Sequence, residues 1–153
     1  MDIKIIKTKI PPPIIALFCI VINYLSTYFI NPIKFPYIEI IGGLILLFGV
    51  AIAILSTILF KKDKTTVNPI QPEETTSLVT TSIFSFTRNP MYLGLFLFVS
   101  STIFFFGSWF GIIILMFFVW YITKFQIVPE EKAMEKLFGN KYNEYRKKVR
   151  RWI

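Results

Sequence analysis

The chain has 153 residues, of which 54% are hydrophobic and 17% charged, and its formal net charge is +8. This composition excludes an ordinary soluble domain and indicates an integral membrane protein. The sequence has no histidine, and its single cysteine, Cys19, lies inside an apolar run. These counts exclude a disulfide framework and argue against zinc chemistry and histidine-based triads, so we predict no metal.

Four apolar segments approach or reach the roughly 20 helical residues that cross a bilayer. They are residues 14–30, 38–60, 91–107 and 109–128. The first follows three prolines and lacks a small-residue cleavage site, so it is interpreted as a retained span. The last two meet at residues 106–109, a connection so short that it predicts an antiparallel hairpin. We therefore expect an all-α membrane protein with about four transmembrane helices, divided into a two-span region (1–60) and a catalytic region (61–153).

The positions of the basic residues predict the orientation of these spans. With four spans, all 17 Lys and Arg residues except Lys34 fall on one side of the membrane. Short cytoplasmic loops carry the excess of basic residues. Both termini and the polar motifs are therefore expected on the cytoplasmic side.

A long central loop, residues 61–89, follows the second span. Loops of this length are usually functional or disordered. Apolar residues at Leu78, Val79 and 83–86 would anchor this one against the protein or the lipid interface. We therefore expect an ordered loop.

The third helix is predicted to begin at Asn89 and Pro90. Asn is a favourable N-cap, and Pro suits the first helical position. Such a helix start can receive an anion, for example a ligand carboxylate. The alternative is a plain cap, with Arg88 extending to lipid phosphates.

At the far end of the hairpin, Pro129 is expected to close the fourth span. Glu130 and Glu131 would then occupy the first turn of a new helix, facing its positive end. Because the hairpin returns the chain to the same face, it should bring Arg88, Asn89 and Tyr92 close to Gln126 and Glu130. The convergence of two polar motifs predicts a site at the cytosolic membrane surface.

The C-terminal region predicts two short helices, residues 132–138 and 142–152, separated by Gly139. They share an apolar stripe and a basic end, which indicates an amphipathic cap lying on an anionic leaflet and partly covering the site. The stripe consists of Met134, Leu137, Phe138, Tyr142, Tyr145 and Val149. Nucleic-acid binding would need similar charge, but four spans argue against it.

Several of these motifs, in order along the chain, resemble the isoprenylcysteine carboxyl methyltransferase family, which is related to the phospholipid methyltransferases. The motifs are residues 65–69, 78–81, 87–94, 129–131 and 138–139, with Tyr142 and Tyr145. The resemblance implies an S-adenosylmethionine-dependent methyltransferase whose lipophilic substrate enters from the membrane lipids. The implied cofactor contacts are Ser77, Leu78, Val79, Asn89, Pro90, Met91, Tyr92 and Glu130. Glu130 would bind the cofactor's ammonium, and the helix start would bind its carboxylate.

The sequence departs from the family pattern at three positions. Asn89 stands where members commonly have His, and Ser82 where they have Gly. Gln126 stands where eukaryotic members carry an arginine for the prenylcysteine carboxylate, and a neutral amide cannot make that charge-assisted bidentate contact. Arg88 and Gln126 are the candidate catalytic residues, with Lys124 as a further cation that could compensate.

Two other functions remain open. A phospholipid N-methyltransferase would act on an amine, which must lose a proton, whereas a carboxylate or thiolate arrives deprotonated. A non-enzymatic four-helix protein or transporter would use Glu39 as an intramembrane acid. Glu39 lies at the edge of its span, and a transporter leaves the central loop and residues 129–131 unexplained.

Overall fold

The computed structural model describes residues 10–62 and 77–153, and within these ranges the chain is helical, without a β-strand. The lysines at positions 4, 7 and 9 and the motif at 65–69 lie outside the described residues. The helices are α1 (Pro12–Ser26), α2 (Ile38–Lys62), α3 (Pro90–Phe106), α4 (Gly111–Ile122), α5 (Val128–Phe138) and α6 (Asn140–Lys148). A 3-10 turn covers Ser82–Ser85, and a π-helical turn covers Thr123–Ile127. The prediction of an all-α protein is confirmed for this part of the chain.

Two of the helical stretches are long and apolar enough to cross a membrane. They are Ile38–Lys62, with 25 residues, and Gly111–Phe138, with 28 residues. The first contains the predicted second span, and the second contains the predicted fourth span except residues 109 and 110. The other two apolar helices, α1 and α3, are shorter, with 15 and 17 residues.

Helix α3 lies at the centre of the bundle and packs against α1, α2 and α4. Its contact with α2 is close because glycines face each other there. A Cβ atom on Gly49 would lie 2.9 Å from the Cβ atom of Leu97, and one on Gly94 would lie 3.0 Å from the carbonyl oxygen of Gly49. On its other side, α3 contributes Tyr92 and Val99 to the core that it shares with α1 and α4.

The predicted tight hairpin between α3 and α4 is confirmed. Helix α3 ends at Gly107, whose φ of 60° lies in the left-handed region that glycine tolerates best. The Ser108 N–H donates to the Ile103 carbonyl oxygen at 3.1 Å, which closes the helix end. Ile33, in the connection between α1 and α2, donates its N–H to the Gly107 carbonyl at 2.8 Å.

The expectation that Pro129 closes the fourth span is wrong. The chain passes from α4 through the π turn into α5, and Ile127 and Val128 keep right-handed helical dihedrals. The Val128 N–H donates to the carbonyl of Thr123, five residues earlier. This wider turn accommodates a proline that lacks an N–H and would clash in a regular helix. Glu130 and Glu131 lie in the first turn of α5, as predicted, but α5 continues from α4 without a break in the helical backbone.

Candidate functional site

A cavity of about 320 Å³ lies at the end of the bundle where α3 begins. Its wall is formed by the starts of α1 and α3, the last turns of α2, residues 77–79, and parts of α5 and α6. All of the sequence-predicted site residues line it except Gln126: Ser77, Leu78, Val79, Arg88, Asn89, Pro90, Met91, Tyr92 and Glu130. The hairpin thus brings the two polar motifs together as the sequence predicted.

Glu130 and Tyr92 form a hydrogen-bonded pair in the cavity wall. Tyr92 lies in the first turn of α3, is 7% exposed, and donates its hydroxyl hydrogen to Oε1 of Glu130. A buried carboxylate needs such a donor because burial without a hydrogen bond is strongly unfavourable. The pair presents a carboxylate to any ligand that the cavity binds.

The neighbouring carboxylate, Glu131, is held by two arginines. Arg151 binds both of its oxygens, with Nε 3.0 Å from Oε1 and Nη2 2.7 Å from Oε2. Arg88 donates from Nη2 to Oε1 at 2.7 Å. These hydrogen bonds to Glu131 raise the pKa of Arg151 above its ordinary value. The sequence predicted only a first-turn position for Glu131 and placed Arg151 in the basic end expected to bind the membrane, so their contact was not predicted.

Arg88 lines the cavity, and one of its N–H groups takes no part in its contacts with Glu131 and Arg146. Its side chain is only 8% exposed, and besides Glu131 it reaches the carbonyl of Arg146 at 3.4 Å through Nη1. Its Nε atom is buried and has no hydrogen-bond partner among the described residues. Because buried polar groups are nearly always hydrogen-bonded, this N–H suits an oxygen atom of a bound ligand.

Asn89 occupies the N-cap position of α3 and Pro90 the first helical position, as predicted. The side chain of Asn89, however, makes no capping hydrogen bond. Its Nδ2 donates instead to the Arg151 carbonyl oxygen at 2.8 Å. Asn89 therefore connects the start of α3 to the segment after α6.

That segment, residues 149–152, runs beside the start of α3. Thr87 and Arg150 form a parallel β-bridge, and the Arg88 N–H donates to the Arg150 carbonyl at 3.0 Å. Farther along, Trp152 donates from Nε1 to Oγ1 of Thr123 in the π turn, at 3.2 Å. These contacts hold one wall of the cavity in place.

Helix α6 covers the cavity with two tyrosines. Tyr142 and Tyr145 line it, and burial, assisted by Glu131, raises the pKa of Tyr142 to about 12. The Tyr145 hydroxyl donates to the Phe84 carbonyl at 2.6 Å, and the ring of Phe84 packs on Phe60 of α2. The expected loop anchor at position 84 is thus confirmed.

Most of the apolar stripe of the C-terminal helices packs against the protein, so the whole stripe does not lie on the leaflet as predicted. Tyr142, Tyr145 and Val149 are buried together and pack against Leu78, whereas Leu137 is 44% exposed. Most of the stripe therefore faces the protein, because it covers the central loop and the cavity.

Gln126 lies in the π turn, is 2% exposed, and is absent from the described cavity wall. Its Nε2 donates to the Ile10 carbonyl at 2.9 Å. Lys124, the suggested compensating cation, is also absent from that wall, and its Nζ lies 5.3 Å from the centre of the Trp120 ring. Within residues 10–62 and 77–153, no group of three or more acidic or cysteine side chains could hold a metal ion.

Comparison with known proteins identifies the family. The family model of phospholipid methyltransferases matches residues 37–141. The chain belongs to the phospholipid methyltransferase family. Together with its apolar helices, this membership makes it a membrane methyltransferase, in agreement with the family suggested by the sequence motifs.

Two relatives show how far the similarity extends. An uncharacterised protein of Haemophilus influenzae is 41% identical over 66 residues, which are 41% of this chain and all of that protein. The protein-S-isoprenylcysteine O-methyltransferase of Schizosaccharomyces pombe is 32% identical over 72 residues, which are 47% of this chain but only 30% of that enzyme. No solved structure matches the chain.

Proposed function

We propose that this methyltransferase binds S-adenosylmethionine in the cavity and methylates a carboxylate or thiol of a lipidic or prenylcysteine-like substrate at the cytosolic membrane surface. The observation that carries the proposal is that an arginine donor and a carboxyl group line the same small cavity. Arg88 presents a buried N–H donor without an acceptor among the described residues, and Glu130 presents a carboxyl group that Tyr92 holds. An amino-acid group, with its own carboxylate and ammonium, complements this pair.

The residues of the cavity fit such a methyl donor. The Nε–H group of Arg88 would bind the carboxylate, and Glu130, held by Tyr92, would bind the ammonium. Leu78, Val79 and Met134 supply apolar wall for the rest of the molecule. A volume of about 320 Å³ is at the lower end of the range for small-molecule sites, roughly 300–1,000 Å³, so the lipid tail of a substrate would lie outside the cavity.

When bound, S-adenosylmethionine supplies a methyl group on a positively charged sulfur that leaves as a neutral thioether. The protein needs no general base for a carboxylate or thiolate acceptor, which arrives with its electron pair available. Its residues contribute by orientation, since holding two reactants in line can supply much of the rate enhancement. Tyr142 and Tyr145 cover the cavity and reduce its contact with water.

The distribution of charge supports the cytosolic placement. The cavity lies where α2 ends, at Lys61 and Lys62, and where α6 carries its basic residues. Lys34 lies at the opposite end, in the connection whose Ile33 binds the hairpin at Gly107. By the positive-inside rule, the cavity end faces the cytoplasm, with α1 to α4 as the four spans.

A phospholipid N-methyltransferase is the second candidate, supported by the family model that matches two thirds of the chain. An amine acceptor has to lose a proton before it can attack. Of the two acids in the described cavity wall, Glu130 would have to accept it in place of binding the ammonium, because Glu131 is bound by two arginines. Gln126, which the sequence placed where a substrate carboxylate would bind, lies outside the described wall and is left out of both proposals.

Calorimetric titration of S-adenosylmethionine and S-adenosylhomocysteine into the protein in lipid nanodiscs tests the cofactor site. Glu130→Gln should weaken binding by about tenfold or more, because it removes a charge-assisted hydrogen bond. Glu135→Gln is the matched control, since Glu135 lies on the same helix and is 46% exposed. Absence of binding by the unaltered protein would refute the proposal.

Labelled methyl donor then separates the two acceptor classes. The protein would be supplied with a prenylcysteine analogue or with vesicles that contain an amine-headgroup phospholipid. A base-labile methyl ester or a methyl thioether supports the first candidate. A methylated headgroup supports the second.

A further inference from the structure

We propose that Arg151 is a positioning residue that keeps Arg88 available for the carboxylate of the bound ligand. This inference rests on the proposed function, because it concerns how the cavity recognises the amino-acid group of the methyl donor. Arg151 is absent from the described cavity wall and would act through Glu131. Neither the family resemblance nor the sequence pattern assigned it a role at the site.

The two arginines make different contacts with Glu131. Guanidinium and carboxylate groups prefer two parallel N–H···O bonds. Arg151 makes this bidentate contact, through Nε at 3.0 Å and Nη2 at 2.7 Å. Arg88 makes a single contact with Glu131, through Nη2 at 2.7 Å. Its Nε–H is left without an acceptor in the described part of the chain.

The position of Arg151 explains why Arg88 makes only a single contact with Glu131. With Arg151 in place, both oxygens of Glu131 are already engaged. Without it, Glu131 would be able to turn and bind Nε and Nη2 of Arg88 together, which would remove the one Arg88 donor that has no partner among the described residues. The three side chains also carry a net charge of one positive unit, so the group attracts an anion.

Two hydrogen bonds hold the backbone of Arg151 beside the start of α3. Its carbonyl oxygen accepts hydrogen bonds from Nδ2 of Asn89 at 2.8 Å and Oγ1 of Thr87 at 3.3 Å. Both donors lie at the start of α3, beside Arg88. These two hydrogen bonds therefore fix the position of Arg151 relative to Arg88.

The test compares S-adenosylmethionine with decarboxylated S-adenosylmethionine, which keeps the ammonium and lacks the carboxylate. The ratio of the two affinities, measured by calorimetry, reports the carboxylate contact alone. The unaltered protein should prefer S-adenosylmethionine by about tenfold or more, the effect of one charge-assisted hydrogen bond. Arg151→Ala should reduce this ratio toward one.

A matched control and a rescue separate positioning from a merely structural role. Arg150→Ala removes the same charge from the adjacent, exposed residue and should leave the ratio unchanged. In the double variant Arg151→Ala/Glu131→Gln, the neutral amide no longer competes for Arg88 as a charged partner. The ratio should therefore recover at least in part, although a second contact has been removed.

A normal ratio in Arg151→Ala, or no recovery in the double variant, would overturn the inference. Equal affinities for the two ligands in the unaltered protein would overturn it as well, while leaving the methyltransferase proposal standing. Binding of neither ligand would refute the proposed function itself. If Arg151→Ala does not fold, Arg151→Lys replaces it, since lysine keeps the charge but cannot make the bidentate contact, and an unchanged ratio there would count against the inference.

Discussion

Replacement of Glu131 by alanine should destabilise the protein strongly. The Glu131 side chain is 10% exposed and binds Arg88, whose side chain is 8% exposed. Removing one partner of a buried ion pair leaves an uncompensated charge and is expected to lower the free energy of unfolding by about 3–5 kcal/mol. The 3.4 Å contact of Arg88 with the Arg146 carbonyl is too long to replace the lost carboxylate.

Two further variants test the size of this expected loss in the free energy of unfolding. Glu131→Gln keeps a hydrogen-bond acceptor but loses the charge, so the expected loss is smaller, about 1–3 kcal/mol. Glu135→Ala is the control on the same helix. Glu135 is 46% exposed and lies 3.7 Å from Arg146, and an exposed pair of this kind contributes at most about 1 kcal/mol.

The assay is reversible unfolding in mixed micelles, followed by tryptophan fluorescence. Trp152 is a suitable reporter because its indole binds Thr123 and packs on Phe96, so its environment changes when the segment after α6 detaches. The expected order of stability is control, then Glu131→Gln, then Glu131→Ala. Equal stability of Glu131→Ala and the control would refute the buried-charge explanation.

Three further predictions concern two glycines of α2 and one hydrogen bond of α6. Gly49→Ala should destabilise the contact of α2 with α3 by about 1–3 kcal/mol, because its Cβ atom meets Leu97 at 2.9 Å. Gly43→Ala meets nothing within 4 Å and should stabilise α2 by about 0.5–1 kcal/mol, so the same unfolding assay should give opposite signs. Tyr145→Phe leaves the Phe84 carbonyl without its donor and should lower stability by about 1–2 kcal/mol, with faster hydrogen exchange in residues 77–86. Unchanged exchange there would contradict the role assigned to the hydroxyl.

Hydrophobic pattern and turn chemistry were sufficient to predict the helices and their hairpin. Long apolar runs define α2 and α4, and Gly107 ends α3 within the short connection that predicted the hairpin. The same hairpin explains why Tyr92 and Glu130 meet although 38 positions separate them. A short antiparallel connection depends on residues that are close together in the chain, so it can be predicted from the sequence.

The contacts of the segment after α6 could not be predicted in this way. Its links to α3 use main-chain carbonyls at Arg150 and Arg151, which every residue type possesses. The residue pattern did not distinguish Glu131 from Glu130, because both acids follow the same proline, and it was the family resemblance that singled out Glu130. Which one faces the arginines depends on the rotation of α5, and the π turn before it changes that rotation.

The π turn also explains the role of position 126 in this chain. Gln126 binds the carbonyl of Ile10, two residues before Pro12 of the cavity wall, while Thr123 in the same turn binds Trp152. One turn therefore holds the chain segments on two sides of the cavity, and a neutral amide suits this function because it can donate to a carbonyl without burying a charge. Under the proposed function, recognition of an anionic group then falls to Arg88, the basic side chain that lines the cavity in the described part of the chain.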